Sequence, residues 1–412
     1  MDDSSTSSAT GPGIIERAFR EAHGQAVATL TRVFGDISLA EDAVQDAFVT
    51  AVQRWPRDGV PDNPAGWIIT TARNRAVDVV RRTRRGRELT EQAALDRLRA
   101  ESEEAQLMHD DQLRLIFTCC HPAIRVEHQV ALTLRLIAGL TPAEVASAFL
   151  VSEETMAKRL VRAKYKIRSA HIPYRVPEAA ELPTRLRAVL QVLYLIYNTG
   201  ADDPRNRHDL RAEAIHLGRV LTALIPDEPE TLGLLALMLL NESRMPARGT
   251  ADDVILLKHQ DRSRWDSSLI TEGHNLVLTC LRSHRPGPFQ LQAAIQAIHC
   301  AAPRYEDTDW QAITRFYDRL LAVMPTPVVA LNRAVALAET QGPATALSLL
   351  DQLADDLPEY HLLHASRASM LERLGRRQEA SQAYARAAEL ARTESEIQFL
   401  RYQSERDQRF RG

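Results

Sequence analysis

Cysteine, aromatic residues and long apolar runs are all scarce in this 412-residue chain. Its four cysteines, Cys119, Cys120, Cys280 and Cys300, are too few for a disulfide framework at this length, and a reducing cytoplasm is the expected compartment. Aromatics make up 5% of the residues and hydrophobic residues 45%. Strands favour aromatic and β-branched side chains, so this balance points to an all-α protein with sizeable cores. The longest apolar run, at residues 232–240, is too short to span a bilayer, so no membrane partner is expected. The opening MDDSSTSSATGPG is acidic and polar, unlike a signal or transit peptide. No phosphate-binding glycine loop, GxSxG or HExxH motif occurs, and Cys119-Cys120-His121 has no second pair at zinc-finger spacing. Those cysteines sit in an apolar stretch with Leu113, Ile116 and Phe117, which favours buried thiols. No enzyme chemistry, cofactor or metal is implied.

The net charge of −3 hides a strong asymmetry. Read at helical period, residues 65–87 place Ile68, Ala72, Ala76 and Val79 on one stripe and arginines on the other. Within residues 73–87 only Asp78 offsets seven arginines. A helix with one buried face and this much guanidinium on the other suits a phosphate backbone. Residues 88–111 reverse the sign, with eight carboxylates against two arginines.

Residues 140–167 parse as two capped helices. Gly139 ends the preceding helix, and Thr141-Pro142-Ala143-Glu144 combines an N-cap threonine, a proline at the first helical position and a capping-box glutamate. Ser152 caps the second helix, where Met156, Leu160, Ala163 and Ile167 form the apolar stripe and Thr155, Lys158, Arg159, Arg162 and Lys166 lie opposite. This is a helix-turn-helix able to enter a major groove. Leu150 stands where such turns often carry glycine, at a conformational cost of about 1 kcal/mol.

Upstream, helices are expected over residues 14–34, 39–55 and 65–85. Ser38 and Glu41 form a capping-box pattern, and a proline-rich loop spans residues 56–64. Downstream, residues 327–360 align with 361–394, matching Ala346 to Ala380, Leu350 to Tyr384 and Leu353 to Ala387. The spacing from Ala346 to Pro358, at the repeat end, recurs from Ala214 to Pro226, whereas residues 241–288 fit poorly. This is a degenerate tetratricopeptide (TPR-like) pattern.

These residues carry a family likeness. Residues 14–87 resemble region two of bacterial extracytoplasmic-function sigma factors, and residues 113–170 resemble their region four. The resemblance implies that the helix at residues 40–55 docks on core RNA polymerase through Asp42, Gln45, Asp46 and Phe48. It implies that the loop before the arginine helix captures a flipped base of the minus-ten promoter element, with Asp62 and Asn63 at the base edge. Arg73, Asn74, Arg81, Arg82, Arg84 and Arg85 would then hold the separated strand. Ser152, Glu154, Thr155, Lys158, Arg159 and Arg162 would read the minus-thirty-five element.

The rest looks like the C-terminal extension of one sigma-factor subgroup, thought to replace a separate membrane anti-sigma factor. Such an extension would contact a protein partner or the chain itself. Members commonly read Asn-Glu-Gly-Tyr where this chain has Asn198-Thr199-Gly200-Ala201. The expected organisation is a disordered start (1–13), region two (14–87), an acidic linker (88–111), region four (112–171), a second linker (172–183) and the helical extension (184–412). A helix-turn-helix regulator with a repeat-type sensor, acting on promoter DNA without core polymerase, is the alternative that fits the same motifs.

Overall fold

Asp36 opens the second helix. A computed structural model gives the Asp36 carboxylate as acceptor of the Ser38 and Leu39 backbone N–H groups, at 2.8 and 3.3 Å. Helix α2 therefore runs Ile37–Asp58, beginning ahead of the expected start. The capping box expected of Ser38 and Glu41 does not form, because the cap position is already filled and Glu41 is buried. At the other end the helix runs through Pro56, which gives up one backbone hydrogen bond, and stops at Gly59 with φ 86°.

The structure describes residues 11–83, 104–149, 151–202, 210–248, 254–283, 286–391 and 393–406. All regular structure among them is helical, and none of their helices is long and apolar enough to cross a membrane. The chain divides into two compact units, Met1–Leu217 and Gly218–Gly412.

In the first unit, α1 (Gly11–Phe34), α2 and α3 (Pro64–Thr83) share a core of Ala22, Ala26, Val27, Leu30, Val44, Phe48, Ala51, Trp55, Ile68, Ala72 and Ala76. Alanines at the crossings let the backbones approach, and each larger side chain contributes about 1.5–3 kcal/mol by leaving water. Gly11–Gly13 are already helical, so only residues 1–10 of the expected disordered start fall outside the described residues.

The next helices are α4 (Glu104–Cys119), α5 (Val126–Leu132), α6 (Pro142–Ala148) and α7 (Glu153–Ser169). The backbone leaves α5 through a π-helical turn, Thr133–Ile137. Gly139, at φ 82°, lets Leu140 N–H reach back to the Leu134 carbonyl at 3.0 Å. The Thr141–Glu144 capping box is complete, Ser152 caps α7, and Met156, Leu160, Ala163 and Ile167 are its buried stripe. Leu150 lies outside the described residues. Cys119 and Cys120 are buried, which pushes both thiols up, that of Cys120 to about 12.

Two expected boundaries fall inside structure. Asp111, assigned to the acidic linker, is fully buried in α4 and pairs with Arg32 at 2.8 Å and Arg114 at 2.9 Å. Helix α8 (Leu182–Asp202), assigned to the extension, is tied back by Arg185, which donates to the Phe117 carbonyl at 2.6 Å.

The α1–α3 module and the helix-turn-helix module are packed together. Glu41 Oε1 accepts from Arg135 Nε at 2.6 Å and its Oε2 from Lys164 Nζ at 2.8 Å, while Arg135 Nη1 donates to the Leu140 carbonyl at 2.8 Å. Burial alone would raise the Glu41 pKa, but Arg135 and Lys164 outweigh it and hold the carboxyl below its ordinary range. His23, beside them, is held down at about 4, mainly by burial and then by the Arg135 charge.

Helix α9 (Leu210–Leu224) contains the division between the units. The second unit continues with α10 (Pro229–Glu242), α11 (Ser267–Leu281), α12 (Pro288–Ala301), α13 (Trp310–Val323), α14 (Pro327–Gln341), α15 (Pro343–Gln352), α16 (His361–Arg373), α17 (Arg377–Leu390) and α18 (Glu394–Arg406). The period of 34 is physical: α16 starts 34 residues after α14, and α17 starts 34 residues after α15. Ala346, Ala380, Leu350, Tyr384 and Ala387 meet in one buried cluster, with Leu353 against it. Within the misfit at residues 241–288, 3-10 turns at Met245–Ala247, Leu257–His259 and Arg262–Arg264 lead to Trp265 and then α11. Arg262 and Arg244 lie over the Trp265 ring at 4.7 and 5.9 Å from the centroid.

Because His23 is neutral when folded but protonates below about 6.5 when unfolded, the unfolded chain binds more protons between pH 6.5 and 4. Stability is full above pH 6.5 and falls toward pH 4, with loss of the Glu41 pairs adding in the same direction at lower pH. Urea unfolding of the first unit, followed by Trp55 and Trp67 fluorescence, should lose on the order of 3 kcal/mol over this window. His23→Leu should flatten the slope; an unchanged slope refutes the assignment.

Candidate nucleic-acid interface

Helix α3 presents its basic side away from Ile68, Ala72 and Ala76. Asn74, Arg75, Arg81 and Arg82 are exposed and Arg73 is half-buried. Arg84 and Arg85 lie outside the described residues. Thus the documented surface is a row of guanidinium groups on a helix whose opposite face is fixed in the core.

The loop before α3 is short, running from Gly59 to Asn63. Asp62 is exposed. Asn63 is partly committed: its Oδ1 accepts from Gly66 N–H at 2.9 Å and starts α3. The group it leaves for a base edge is the amide NH2. Trp67 packs edge-on to buried Trp55, with centroids 5.5 Å apart, which makes it part of the wall behind the loop.

On α2, Asp42 and Asp46 are exposed and Gln45 is half-buried. Partial burial and then the neighbouring Glu41 charge push the Asp42 carboxyl up. Phe48 is the correction. It is 5% exposed and stacks on His23 with centroids 6.2 Å apart, so its side chain belongs to the core and not to a docking face. The spacing Val44, Phe48, Ala51, Trp55 is an apolar helical stripe and already carried that signal. The exposed apolar residues of this helix are Val49 and Val52, both 55% exposed.

On α7, Glu154, Thr155, Lys158 and Arg162 are exposed and Arg159 is half-buried, although Lys158 Nζ is held by Glu154 Oε1 at 2.5 Å. Both partners are well exposed, and such surface pairs are worth under about 1 kcal/mol, so a phosphate can replace the carboxylate. Ser152 is spent locally, capping Thr155 N–H at 3.3 Å and sharing a hydroxyl bond with Thr155 Oγ1 at 2.8 Å. Val161 and Tyr165 are exposed apolar groups on the same helix that the polar pattern did not single out. The segment beginning at Asn198 is helical, inside α8, with the Thr199 hydroxyl bonded to the Leu195 carbonyl at 2.8 Å.

Comparison with known proteins gives this arrangement a class. Residues 18–86, the region of α1–α3, match the family model described as Sigma-70 region 2. Residues 185–281 match a family of unknown function (DUF6596). The chain is 42% identical over 405 residues to "Uncharacterized protein R00370" of Rhizobium meliloti (strain 1021), spanning 96% of each, and it belongs to that protein's family. The crystal structure of the P58(IPK) TPR domain aligns over 97% of this chain and 99% of that one, at 13% identity. Its TM-score of 0.26 is too low to bear on how the helices are arranged.

The core role of Phe48 separates it from its neighbours. Phe48→Ala should cost about 3–5 kcal/mol through lost burial and a residual cavity. Asp46→Ala should stay within about 0.5 kcal/mol, as exposed substitutions do. Equal losses in urea unfolding would return Phe48 to the surface.

Proposed function

We propose that this chain is an alternative sigma factor of the extracytoplasmic-function kind. It binds core RNA polymerase, recognises a two-part promoter and assists its opening, forming no covalent bond itself. The observation that carries the reading is the match to Sigma-70 region 2 over α1–α3, where an acidic helix face and an arginine face are separate exposed surfaces. A fully capped helix-turn-helix follows in chain order.

In this reading the exposed Asp42 and Asp46 offer charge to a basic helical partner, with Val49 and Val52 supplying apolar contact beside them. Arg73, Asn74, Arg81 and Arg82 hold the backbone of the separated strand, and Asp62 with the Asn63 amide selects a base. Lys158, Arg159 and Arg162 set α7 against phosphates and base edges of the upstream duplex. Phosphate contacts position and base contacts select; the two kinds of residue should therefore fail differently. In this reading the second unit is a regulatory extension that meets a protein partner or the chain itself, a role its helix pairs support.

Run-off transcription with purified core polymerase and a promoter selected by this chain should give a product that core alone does not. The double variant Arg81→Ala, Arg82→Ala should keep core binding yet form open complexes at least about tenfold less efficiently. Unchanged promoter opening counts against the α3 assignment.

Lys158→Ala and Arg162→Ala should each weaken duplex binding uniformly across sequences and lower the slope of log K against log salt by about 1. A salt slope identical to wild type would remove α7 from the phosphate contacts.

A further inference from the structure

A cavity of about 180 Å³ opens where the end of α1, the start of α2, α4 and the end of α7 meet. It is lined by none of the residues assigned to nucleic acid or polymerase. Its volume exceeds what one water needs, since a water takes about 30 Å³ and a cavity of about 150 Å³ holds a benzene ring.

The polar groups deep in the cavity are already committed. Thr31 Oγ1 donates to the Val27 carbonyl at 2.7 Å, Thr118 Oγ1 to the Arg114 carbonyl at 2.7 Å, and the Tyr174 hydroxyl to the Ala28 carbonyl at 2.8 Å. Ile167 and Ile172, both buried, give the wall an apolar part.

The charged groups of the lining are less fully used. Arg168 is exposed and makes no ion pair among the described residues. Exposed His171 follows it, with its backbone N–H bonded to the Arg168 carbonyl at 3.2 Å. Lys164 spends one of its three donors on Glu41. Asp36 is the one carboxylate of the lining, and it accepts from the Ser38 and Leu39 N–H groups at the start of α2. Two permanent cations and an imidazole therefore stand against one carboxylate, a balance that favours an anion.

The identity of residue 171 points the same way. His171 has φ 48°, the one left-handed non-glycine residue among those described. Glycine or asparagine fills such a position after a helix at lower cost. Backbone economy does not account for a histidine there, whereas a ring lining the cavity does.

We propose that this cavity binds a small organic anion, its carboxylate or phosphate met by Arg168 and His171 and its apolar body by Ile167 and Ile172. The Ser38 hydroxyl, without a partner among the described residues, adds a neutral donor from α2. Charge alone would hold inorganic phosphate equally well, and apolar filling alone would hold a neutral ring; the lining supplies both.

Ligand-observed NMR titration of the full-length protein with benzoate, phenyl phosphate, inorganic phosphate and benzyl alcohol separates these contributions. Benzoate or phenyl phosphate should bind saturably, at least about fivefold more tightly than inorganic phosphate or benzyl alcohol. The tighter of the two identifies the preferred anionic group. His171→Asn keeps a residue that tolerates left-handed backbone, so its urea midpoint should equal or exceed wild type while affinity falls at least about threefold. Arg168→Gln, at an exposed position, should keep the wild-type midpoint and bind at least about fivefold more weakly. No saturable binding of either organic anion, equal affinity for benzyl alcohol, or undiminished affinity in both variants overturns the site.

Discussion

A carboxylate buried between two cations sets the geometry of the first unit. Glu41 has left water, and an ion of that kind costs several kcal/mol to bury unless its oxygens are met. Arg135 and Lys164 meet one oxygen each, and Arg135 is fixed in turn by the Leu140 carbonyl. None of the three can shift along its helix without stranding a charge. The close fit of Gly24 to the Ile137 carbonyl follows from the same constraint, since α1 and α2 must approach the π-helical turn together. Hydrophobic burial supplies most of the stability here, and the ion triad selects which packing is adopted.

This constraint also explains how a chain of net charge −3 carries strongly basic outer faces. Cations that face inward are met by buried carboxylates, as Arg32 and Arg114 share Asp111 and Arg135 and Lys164 share Glu41. Those on the outer sides of α3 and α7 sit on faces whose opposite stripes are alanine, isoleucine, leucine and methionine. The fold keeps those basic faces outward, and local field matters more than the total for what such faces attract.

Much of this was legible where the signal is local. Thr141 to Glu144 and Ser152 read as caps because the residues that satisfy the helix ends lie within three positions of them. The 34-residue period was legible because Ala346 and Ala380 do the same packing in successive hairpins. Glu41 misled because it satisfies the same local grammar: Ser38 followed by Glu41 is a capping box on paper. Asp36, two residues upstream of Ser38, had already accepted the orphan N–H groups. The true partners of Glu41 are 94 and 123 residues away, and no local pattern announces an ion pair of that separation. Phe48 differs in kind: its burial is written in the stripe Val44, Phe48, Ala51 and Trp55, whose spacing places it on the core side of α2. The Arg–Trp stacking around Trp265 has no periodicity to read.

The packing of the modules bears on how a two-part promoter could be read. Residues 84–103 connect α3 to α4, and a chain of that length spans at most about 70 Å when extended. On the proposed reading, covalent connectivity allows α3 and α7 to occupy separate DNA elements; the noncovalent contacts at Gly24, Glu41 and Asp111 are what hold them together. Under that same reading, those contacts involve charges for which polymerase and DNA would offer replacements, basic groups for α2 and phosphates for Lys164. A bound state that supplies both halves of the exchange leaves no buried charge stranded. The ion triad can then be specific in the free chain without being an obstacle in the complex.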